Sequence, residues 1–420
     1  IGYNAGQYAS GSYNTFLGHS AGKGGTTSAP FSTGTKNTAV GYQALAAFTT
    51  GIENIFMGSS AGNAITTGNG NVGLGFDALK THTTGQYNVA IGWKAMDDTN
   101  NAGGNSASSN NNIAIGANAL GGTWANAVSE FNVAIGTNSM AGALNAATNN
   151  TAVGVSALQN LTTGDHNTVL GNQAAVAQTG AIRNVAVGSA ALQSETNGGY
   201  STAIGYNALG SSNTGTAASY NTAVGYNSGD DITTGIQNTS IGALTAFDVD
   251  ANNQTTVGYG ATTDSANDIA IGNTSVDEIK GQVDFSTFSD RRIKKNIKDN
   301  DLGLDFINDL KPRKFNKVNP AKYPDEIKKK NDGITGEWTD AQANKVWDGL
   351  IAQEVKEAVD KHKSSFSGWN VEKNSKENIT YSTLTIPLIK AVQELSSENK
   401  ELKDELNELK ILIKKKLGDE

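Results

Sequence analysis

Cysteine is absent from the 420-residue chain, which excludes disulfide bonds and thiolate metal sites. No run of about 18 consecutive apolar residues occurs, so we predict no insertion into a membrane. Basic residues are in the minority, with 32 lysines and arginines against 40 aspartates and glutamates, and the formal net charge is −8. That balance argues against nucleic acid as a partner. The sequence opens at Ile1, already within a repeating pattern and without a recognisable leader peptide, so we expect natural sequence upstream.

The composition changes near residue 280. Residues 1–280 contain 42 of the 49 glycines and only 21 charged residues. Residues 281–420 contain 51 charged residues in half that length. A change of this size predicts two different architectures.

A short phrase recurs through the first part: asparagine, threonine or valine, a small residue, an aliphatic residue and glycine, as at Asn37, Asn88, Asn132 and Asn184. The closing glycines are most often 17 residues apart. These marker glycines are Gly2, Gly18, Gly41, Gly58, Gly75, Gly92, Gly116, Gly136, Gly154, Gly171, Gly188, Gly205, Gly225, Gly242, Gly258 and Gly272. Two short strands and two turns fit such a unit, which predicts a mainly β fold with a parallel β-solenoid of about sixteen coils over residues 1–280.

The faces of the predicted strands differ. Side chains alternate along a strand, so Val89 and Ile91 share one face and Ala90 lies on the other. A coil of this size buries little apolar surface by itself. We therefore expect the alanine face to form a second contact, buried where three chains wrap around one axis.

These repeats resemble the head repeats of trimeric autotransporter adhesins and, more closely, those of phage and other viral tail fibres. The resemblance covers residues 1 to about 275 and implies a trimeric β-roll. Aromatic residues at or near the turns leave two interpretations open, stacking on receptor sugars or packing at a trimer seam. They are Tyr42, Trp93, Trp124, Tyr206 and Tyr226.

Two serines and the histidines invite catalytic or metal-binding interpretations. Ser20 and Ser60 lie at the centre of G-x-S-x-G stretches, the spelling of a hydrolase nucleophile elbow. The same repeat position holds Gln43 and Asp77 elsewhere, so we interpret both serines as structural. No ligand spacing connects the histidines, which we expect on the solvated surface, and we predict no metal or cofactor. The histidines are His19, His82, His166 and His362.

Four stretches of the second part carry another resemblance. Residues 289–294 read Ser-Asp-x-Arg-x-Lys and residues 349–355 read Gly-Leu-Ile-Ala-Gln-Glu-Val, with residues 306–315 between them and 381–395 after them. In this order they resemble the intramolecular chaperone domain of endosialidases and related phage tailspikes, the S74 peptidase family. The match covers roughly residues 285–405.

This resemblance implies that three copies fold together, guide trimerisation of the shaft and then cut themselves free. By position it implies a cut between Phe288 and Ser289, with Ser289 as the nucleophile and Lys294 as its partner. Because Lys295 and Lys298 are neighbours, the choice of Lys294 rests on the resemblance.

A serine–lysine pair suits this chemistry. A serine hydroxyl is a weak nucleophile until a base takes its proton, and lysine is such a base where burial lowers its pKa. We expect Ser289 Oγ to attack the carbonyl of Phe288, Lys294 to carry the proton, and the resulting ester to hydrolyse. The alternative is that Ser289 caps a helix and Lys294 is an ordinary solvated lysine.

Heptad spacing predicts a coiled coil at the end of the chain. The two interleaved sets are Leu388, Leu395, Leu402 and Leu409, and Val392, Asn399, Leu406 and Ile413. A buried asparagine in such a seam fixes register at some cost in stability. We therefore expect three domains: the shaft over 1–280, an α+β chaperone and autoprotease core over 281–384, and a coiled coil over 385–420.

These features favour a viral tail fibre or tailspike, carried on the virion as a homotrimer and attached to a host-cell surface receptor such as a glycan. A bacterial trimeric surface adhesin is the alternative, ranked lower because the chain ends in a lysine-rich heptad segment. A carbohydrate-degrading tailspike would need a carboxylate pair in a cleft. Only 15 acidic residues are spread over the first 280, so we do not favour this activity.

Overall fold

The computed structural model describes residues 1–25, 31–100, 105–215, 218–276, 278–282, 286–328, 338–372 and 375–418. The chain forms two compact units, Ile1–Asn273 and Thr274–Glu420. The first is a parallel β-solenoid and the second is a small α+β unit, so the predicted fold class is confirmed.

In the described residues, the solenoid has one sheet of fifteen three-residue strands in sequence order, each parallel to the next. A coil supplies a single strand to this sheet, so the expectation of two strands in each unit was wrong. Equivalent repeat positions pair across neighbouring coils, for example Ala90 with Ala114. The strands β1–β15 are Thr15–Leu17, Thr38–Val40, Ile55–Met57, Val72–Leu74, Val89–Ile91, Ile113–Ile115, Val133–Ile135, Thr151–Val153, Thr168–Leu170, Val185–Val187, Thr202–Ile204, Thr222–Val224, Thr239–Ile241, Thr255–Val257 and Ile269–Ile271.

The marker glycines explain why each strand is so short. All sixteen have positive φ angles, between +77° and +147°. At Gly154, with φ +142°, an added Cβ would lie 2.3 Å from the carbonyl oxygen of Gly171 in the next coil. Only glycine combines this backbone angle with so close an approach, so it ends the strand and lets the coils stack.

The middle residue of each strand faces the interior of its own coil. It is buried in all strands from β2 to β14, as at Ala90, whereas the flanking Val89 and Ile91 are partly exposed. The expectation that the alanine face lies between chains was therefore wrong. The inward strand position is small in most coils, and the larger residues on either side of it, such as Val89 and Ile91, point outward.

The interior keeps its volume by pairing large with small residues. Phe56 fills the strand position of its coil, and a Cβ added at Gly62 would lie 2.5 Å from that ring. In a coil with alanine in the strand, such as Ala90, the position equivalent to Gly62 holds Met96, which is fully buried. Between these two positions a coil thus carries about one large side chain, as close packing of the interior requires.

The asparagine that opens each phrase forms a buried ladder. In one step, the backbone N–H of Asn150 donates to Oδ1 of Asn132 at 3.1 Å, and Asn150 Nδ2 donates to the carbonyl oxygen of Gly164 at 2.8 Å. Asn150 Oδ1 in turn accepts from the backbone N–H of Asn167 at 3.0 Å. The fully buried members are Asn37, Asn54, Asn71, Asn88, Asn112, Asn132, Asn150, Asn167, Asn184, Asn221 and Asn238. The ladder satisfies backbone groups that the turn would otherwise leave buried without partners.

In its described residues, the second unit has two antiparallel strand pairs and four α-helices. Its core includes Phe306, Val355 and Leu384, and the carboxylate of Glu394 accepts a hydrogen bond from the backbone N–H of Leu304 at 2.6 Å. The elements are α1 Leu304–Asp309, β16 Arg313–Asn316, α2 Asp340–Ala343, β17 Val346–Gly349, α3 Ala352–Lys361, β18 Trp369–Val371, β19 Glu377–Ile379 and α4 Thr385–Leu417.

Helix α4 presents two faces. Pro387 and Ala391 are buried near its start, whereas the apolar heptad side chains are exposed in the single chain, for example Leu402 and Leu406. The coiled coil stays a prediction that needs further chains. Among the described residues, no helix has the length and apolarity to cross a membrane.

Candidate active site

Ser289 and Lys294 are brought together by a short turn. Residues Arg291–Ile293 form one turn of 3₁₀ helix, closed by hydrogen bonds from the backbone N–H of Ile293 to the carbonyl of Asp290 and from that of Lys294 to the carbonyl of Arg291. Beyond the turn, Lys294 Nζ donates to Ser289 Oγ at 2.5 Å. The predicted nucleophile is thus in hydrogen-bond contact with its predicted proton carrier, as activation of serine by a base requires.

Asp290 holds the turn at its start. Its Oδ1 accepts from the backbone N–H of Arg292 at 2.8 Å, which is an N-cap interaction. Its carboxylate also receives the Arg292 guanidinium, with Nη2 to Oδ2 at 2.7 Å and Nε to Oδ1 at 3.0 Å. The Arg292 side chain, and then its backbone N–H, lower the pKa of the Asp290 carboxyl, so it stays ionised at neutral pH.

The pair is exposed in the single chain. Ser289 and Lys294 lie in solvent, and Phe288 on the other side of the predicted cut is 93% exposed. A lysine acts as a base only where burial or a nearby cation disfavours its charged form. The single chain therefore supplies the geometry of a serine–lysine dyad without the burial that would make it reactive.

Residues 289–363 match the family described as the chaperone of endosialidase, peptidase S74. The match begins at Ser289 itself, includes Lys294 and extends through helix α3. This segment is therefore similar to the domain that the sequence motifs suggested. No curated protein matches the chain. The likeness of the repeats to tail fibres and adhesins stays a prediction.

The serines of the shaft occupy an ordinary repeat position. Ser20 and Ser60 have φ angles of +57° and +56°, the same left-handed conformation as Gln43 and Asp77. Ser20 Oγ lies 3.1 Å from Nδ1 of His19. The shared backbone conformation favours the structural interpretation.

The expectation of solvated histidines was wrong for His82, which is fully buried. It occupies an interior position that holds Phe48 and Ile65 in the preceding coils. Its Nδ1 contacts Thr99 Oγ1 at 2.9 Å and its Nε2 contacts Asn88 Nδ2 at 3.2 Å. Burial lowers the pKa of His82 to about 4, so it is neutral at physiological pH.

The remaining histidines form no metal site. His19 and His166 are exposed, and His362 is half-buried with Nε2 at 2.7 Å from the Asp309 carboxylate. Within the described residues, no group of three or more histidines and carboxylates is arranged to hold a metal ion.

The aromatic residues of the shaft are of two kinds. Trp124 is fully buried, and its Nε1 donates to the carbonyl of Leu120 at 3.2 Å. Tyr206 and Tyr226 are exposed, but their rings stack one coil apart with centroids 5.5 Å apart. Trp93 is exposed as well, with the Lys94 ammonium 5.0 Å from the centre of its ring. Stacking between coils covers part of the ring faces that a sugar would need.

An apolar surface along the sheet was missed because the alanine face, and not this one, was expected at the contact between chains. The first residue of every strand from β1 to β15 is threonine, valine or isoleucine, and the third is valine, isoleucine, leucine or methionine. None of the thirty carries a charge. The third residues lie largely exposed, for example Leu17, Met57, Leu170 and Ile241 at 45 to 48%. The rise of the coils gives this stripe a length on the order of 70 Å.

Proposed function

We propose that the chain is the distal part of a homotrimeric viral tail fibre or tailspike. In this proposal the solenoid is a shaft that attaches the virion to a host-cell receptor. The C-terminal unit is an intramolecular chaperone that promotes trimerisation and is released by autocleavage before Ser289. The observation that carries the proposal is the hydrogen bond between Ser289 and Lys294 at the first residue of the S74 match.

The proposed cleavage begins when Lys294, in its neutral form, takes the proton of Ser289 Oγ. The oxygen then attacks the carbonyl carbon of Phe288, and a tetrahedral intermediate forms. Collapse of this intermediate breaks the bond from that carbon to the Ser289 nitrogen, which receives the proton from Lys294. The product is an ester between Phe288 and the Ser289 oxygen. Water hydrolyses it to a carboxylate on Phe288 and a free α-amine and hydroxyl on Ser289.

Assembly would supply what the single chain lacks. Ser289 and Lys294 are exposed in the single chain, and a surface that removes water from the pair would favour the neutral lysine that the first step requires. Further copies of the chain can provide that surface. Cleavage would then report that assembly has occurred.

Two apolar surfaces support assembly from identical chains. The stripe along β1–β15 continues over fifteen strands without a charged residue, whereas exposed apolar residues on a monomer are usually scattered. The heptad face of α4 is a second such surface, with Leu402 and Leu409 exposed in the single chain. Because a second copy carries the same uncharged stripe and the same heptads, it is a partner that matches both.

Attachment to a receptor is the part of the proposal that rests on the shaft surface. Trp93 offers an exposed ring on a rigid coil, a suitable platform for a sugar ring. Binding of the trimer to host cells or to a glycan array would support attachment. Equal binding by a Trp93→Ala variant would show that Trp93 does not contact the receptor.

Self-cleavage is tested by electrophoresis of the purified chain. Wild type should give fragments of about 288 and 132 residues, since a cut after Phe288 divides 420 residues in this way. Ser289→Ala should stay whole, because it lacks the nucleophile. Ser286→Ala, three residues earlier, is the matched control and should be cut like wild type. Identical migration of wild type and Ser289→Ala would end the self-cleavage proposal.

A further inference from the structure

We propose that Asp290 is a positioning residue that brings Lys294 to Ser289, an inference that rests on the self-cleavage proposed above. Nothing in the chemistry of the dyad itself requires a carboxylate at this place. The hydrogen bonds of Asp290 indicate that it positions Lys294.

Distance along the chain makes a positioning device necessary. Ser289 and Lys294 are five residues apart, which in an extended strand places their Cα atoms about 17 Å from each other. A lysine side chain cannot span that distance to a serine hydroxyl. The 3₁₀ turn over Arg291–Ile293 shortens the path, and the observed Nζ to Oγ distance is 2.5 Å.

Asp290 is the residue that holds this turn. A 3₁₀ helix of a single turn has few hydrogen bonds of its own and depends on its cap. Asp290 Oδ1 supplies the cap by accepting from the backbone N–H of Arg292 at 2.8 Å. The same carboxylate clamps the Arg292 side chain through Nη2 at 2.7 Å, so the residue in the middle of the turn is fixed twice.

The arginines of the turn differ in a way that supplies a control. Arg292 makes the clamp with Asp290, whereas no side-chain bond of Arg291 is recorded in the described part of the chain. A change at Arg291 alters the charge of the same turn without touching the cap. A change at Asp290 or Arg292 alters the contacts themselves.

The first test measures the rate at which the whole chain cuts itself. Asp290→Ala removes cap and clamp and should slow cleavage at least about tenfold. Asp290→Asn keeps a side-chain oxygen for the cap and should recover most of that loss. Arg291→Gln should cleave at the wild-type rate. Cleavage of Asp290→Ala at the wild-type rate would overturn the inference, and so would Asp290→Asn cleaving no faster than Asp290→Ala.

A second test reads the geometry without relying on cleavage. The chain has no cysteine, so Ser289→Cys introduces a single thiol. Its pKa, from the pH dependence of alkylation by iodoacetamide in the uncut chain, should lie below the ordinary value of about 8.5 because the Lys294 ammonium stabilises a thiolate. Adding Asp290→Ala should raise that pKa to the value of the Ser289→Cys, Lys294→Met chain.

The direction of this shift identifies its cause. Removing the Asp290 charge by itself would favour the thiolate and lower the thiol pKa. A rise therefore means that the lysine has moved away, whereas a fall or no change would overturn the positioning role. If wild type and Ser289→Ala both stay whole, self-cleavage fails, yet the thiol pKa still decides whether Asp290 places Lys294.

Discussion

The solenoid buries the residues that define its repeat, whereas the C-terminal unit exposes the residues of its proposed active site and of its heptads. In the solenoid, the asparagines and alanines of the repeated phrase are buried and satisfied within one chain. In the C-terminal unit, Ser289, Lys294 and the apolar heptad residues of α4 lie in solvent. The solenoid coil is therefore complete in its interior, whereas the C-terminal unit exposes apolar surfaces and a serine–lysine pair that we propose gain their roles when other chains cover them.

This difference predicts which property of the protein a substitution in each unit should alter. Interior changes in the solenoid should alter its stability in the manner of a packed core. Changes at the exposed positions of the C-terminal unit should leave its fold intact and alter assembly and cleavage.

Changing the volume of the side chains inside one coil is the strongest test of whether the solenoid interior behaves as a packed core. Phe56→Ala removes one of the large buried side chains of its coil and should cost about 4 kcal/mol of unfolding free energy. Gly62→Leu alone should also destabilise, because the new Cβ would meet the Phe56 ring. Together, Phe56→Ala and Gly62→Leu should recover part of the loss, since the equivalent positions Ala90 and Met96 have this arrangement. Denaturant unfolding measures all three variants, and additive losses would contradict the volume exchange.

Burial of His82 predicts how the solenoid responds to acid. Both folded and unfolded chains hold it neutral at pH 7, but below about 6.5 the unfolded chain binds a proton that the folded chain accepts only near its pKa of about 4. Stability should therefore fall as pH drops through this window, by up to about 3 kcal/mol from this residue.

The His82→Leu variant isolates that contribution. Unfolding free energies at pH 7 and pH 4.5 should differ less in His82→Leu than in wild type, because leucine takes up no proton. His19→Tyr, at an exposed position that holds Tyr42 in a later coil, should keep the wild-type dependence. An unchanged pH dependence in His82→Leu would show that the buried histidine does not contribute.

The asparagine ladder should give a smaller effect. Asn150→Ala leaves the carbonyl of Gly164 and the backbone N–H of Asn167 without their partners and should cost about 2 kcal/mol. The exposed Asn172→Ala should change stability little. Equal melting temperatures for both variants would mean that the ladder adds nothing to stability.

The solenoid could be predicted from the sequence because a marker glycine and an asparagine recur at one spacing. The backbone requires both residues: the glycine ends the strand, and the asparagine bonds buried backbone groups. Which strand face is inside was not readable. Alternation predicts that Val89 and Ile91 share a face, but it does not tell which face lies inside the coil, where the structure buries Ala90. Chemistry-based reasoning likewise placed His82 at the surface, although its repeat position is shared with Phe48 and Ile65 and could have revealed its burial.

The contact between Ser289 and Lys294 could be predicted from the sequence, but its structural setting could not, and the catalytic role of the pair stays a prediction. The spacing of Ser289 and Lys294 within a family motif identified the pair, and the structure places them in contact. The cap by Asp290 depends on the local turn, and no periodicity of the sequence predicts that turn. The pair is exposed in the single chain, and the burial that we propose for it would come from other chains.

The most direct test of the account is the dependence of self-cleavage on assembly. Refolded wild-type chain would be followed over a series of dilutions, with light scattering for mass and electrophoresis for the fragments, beside a Leu402→Asp variant that places a charge in the α4 heptads. The account predicts that fragments appear only in samples that have reached the mass of three chains, and that Leu402→Asp stays both monomeric and whole. Cleavage of monomers at the same rate as trimers would contradict it.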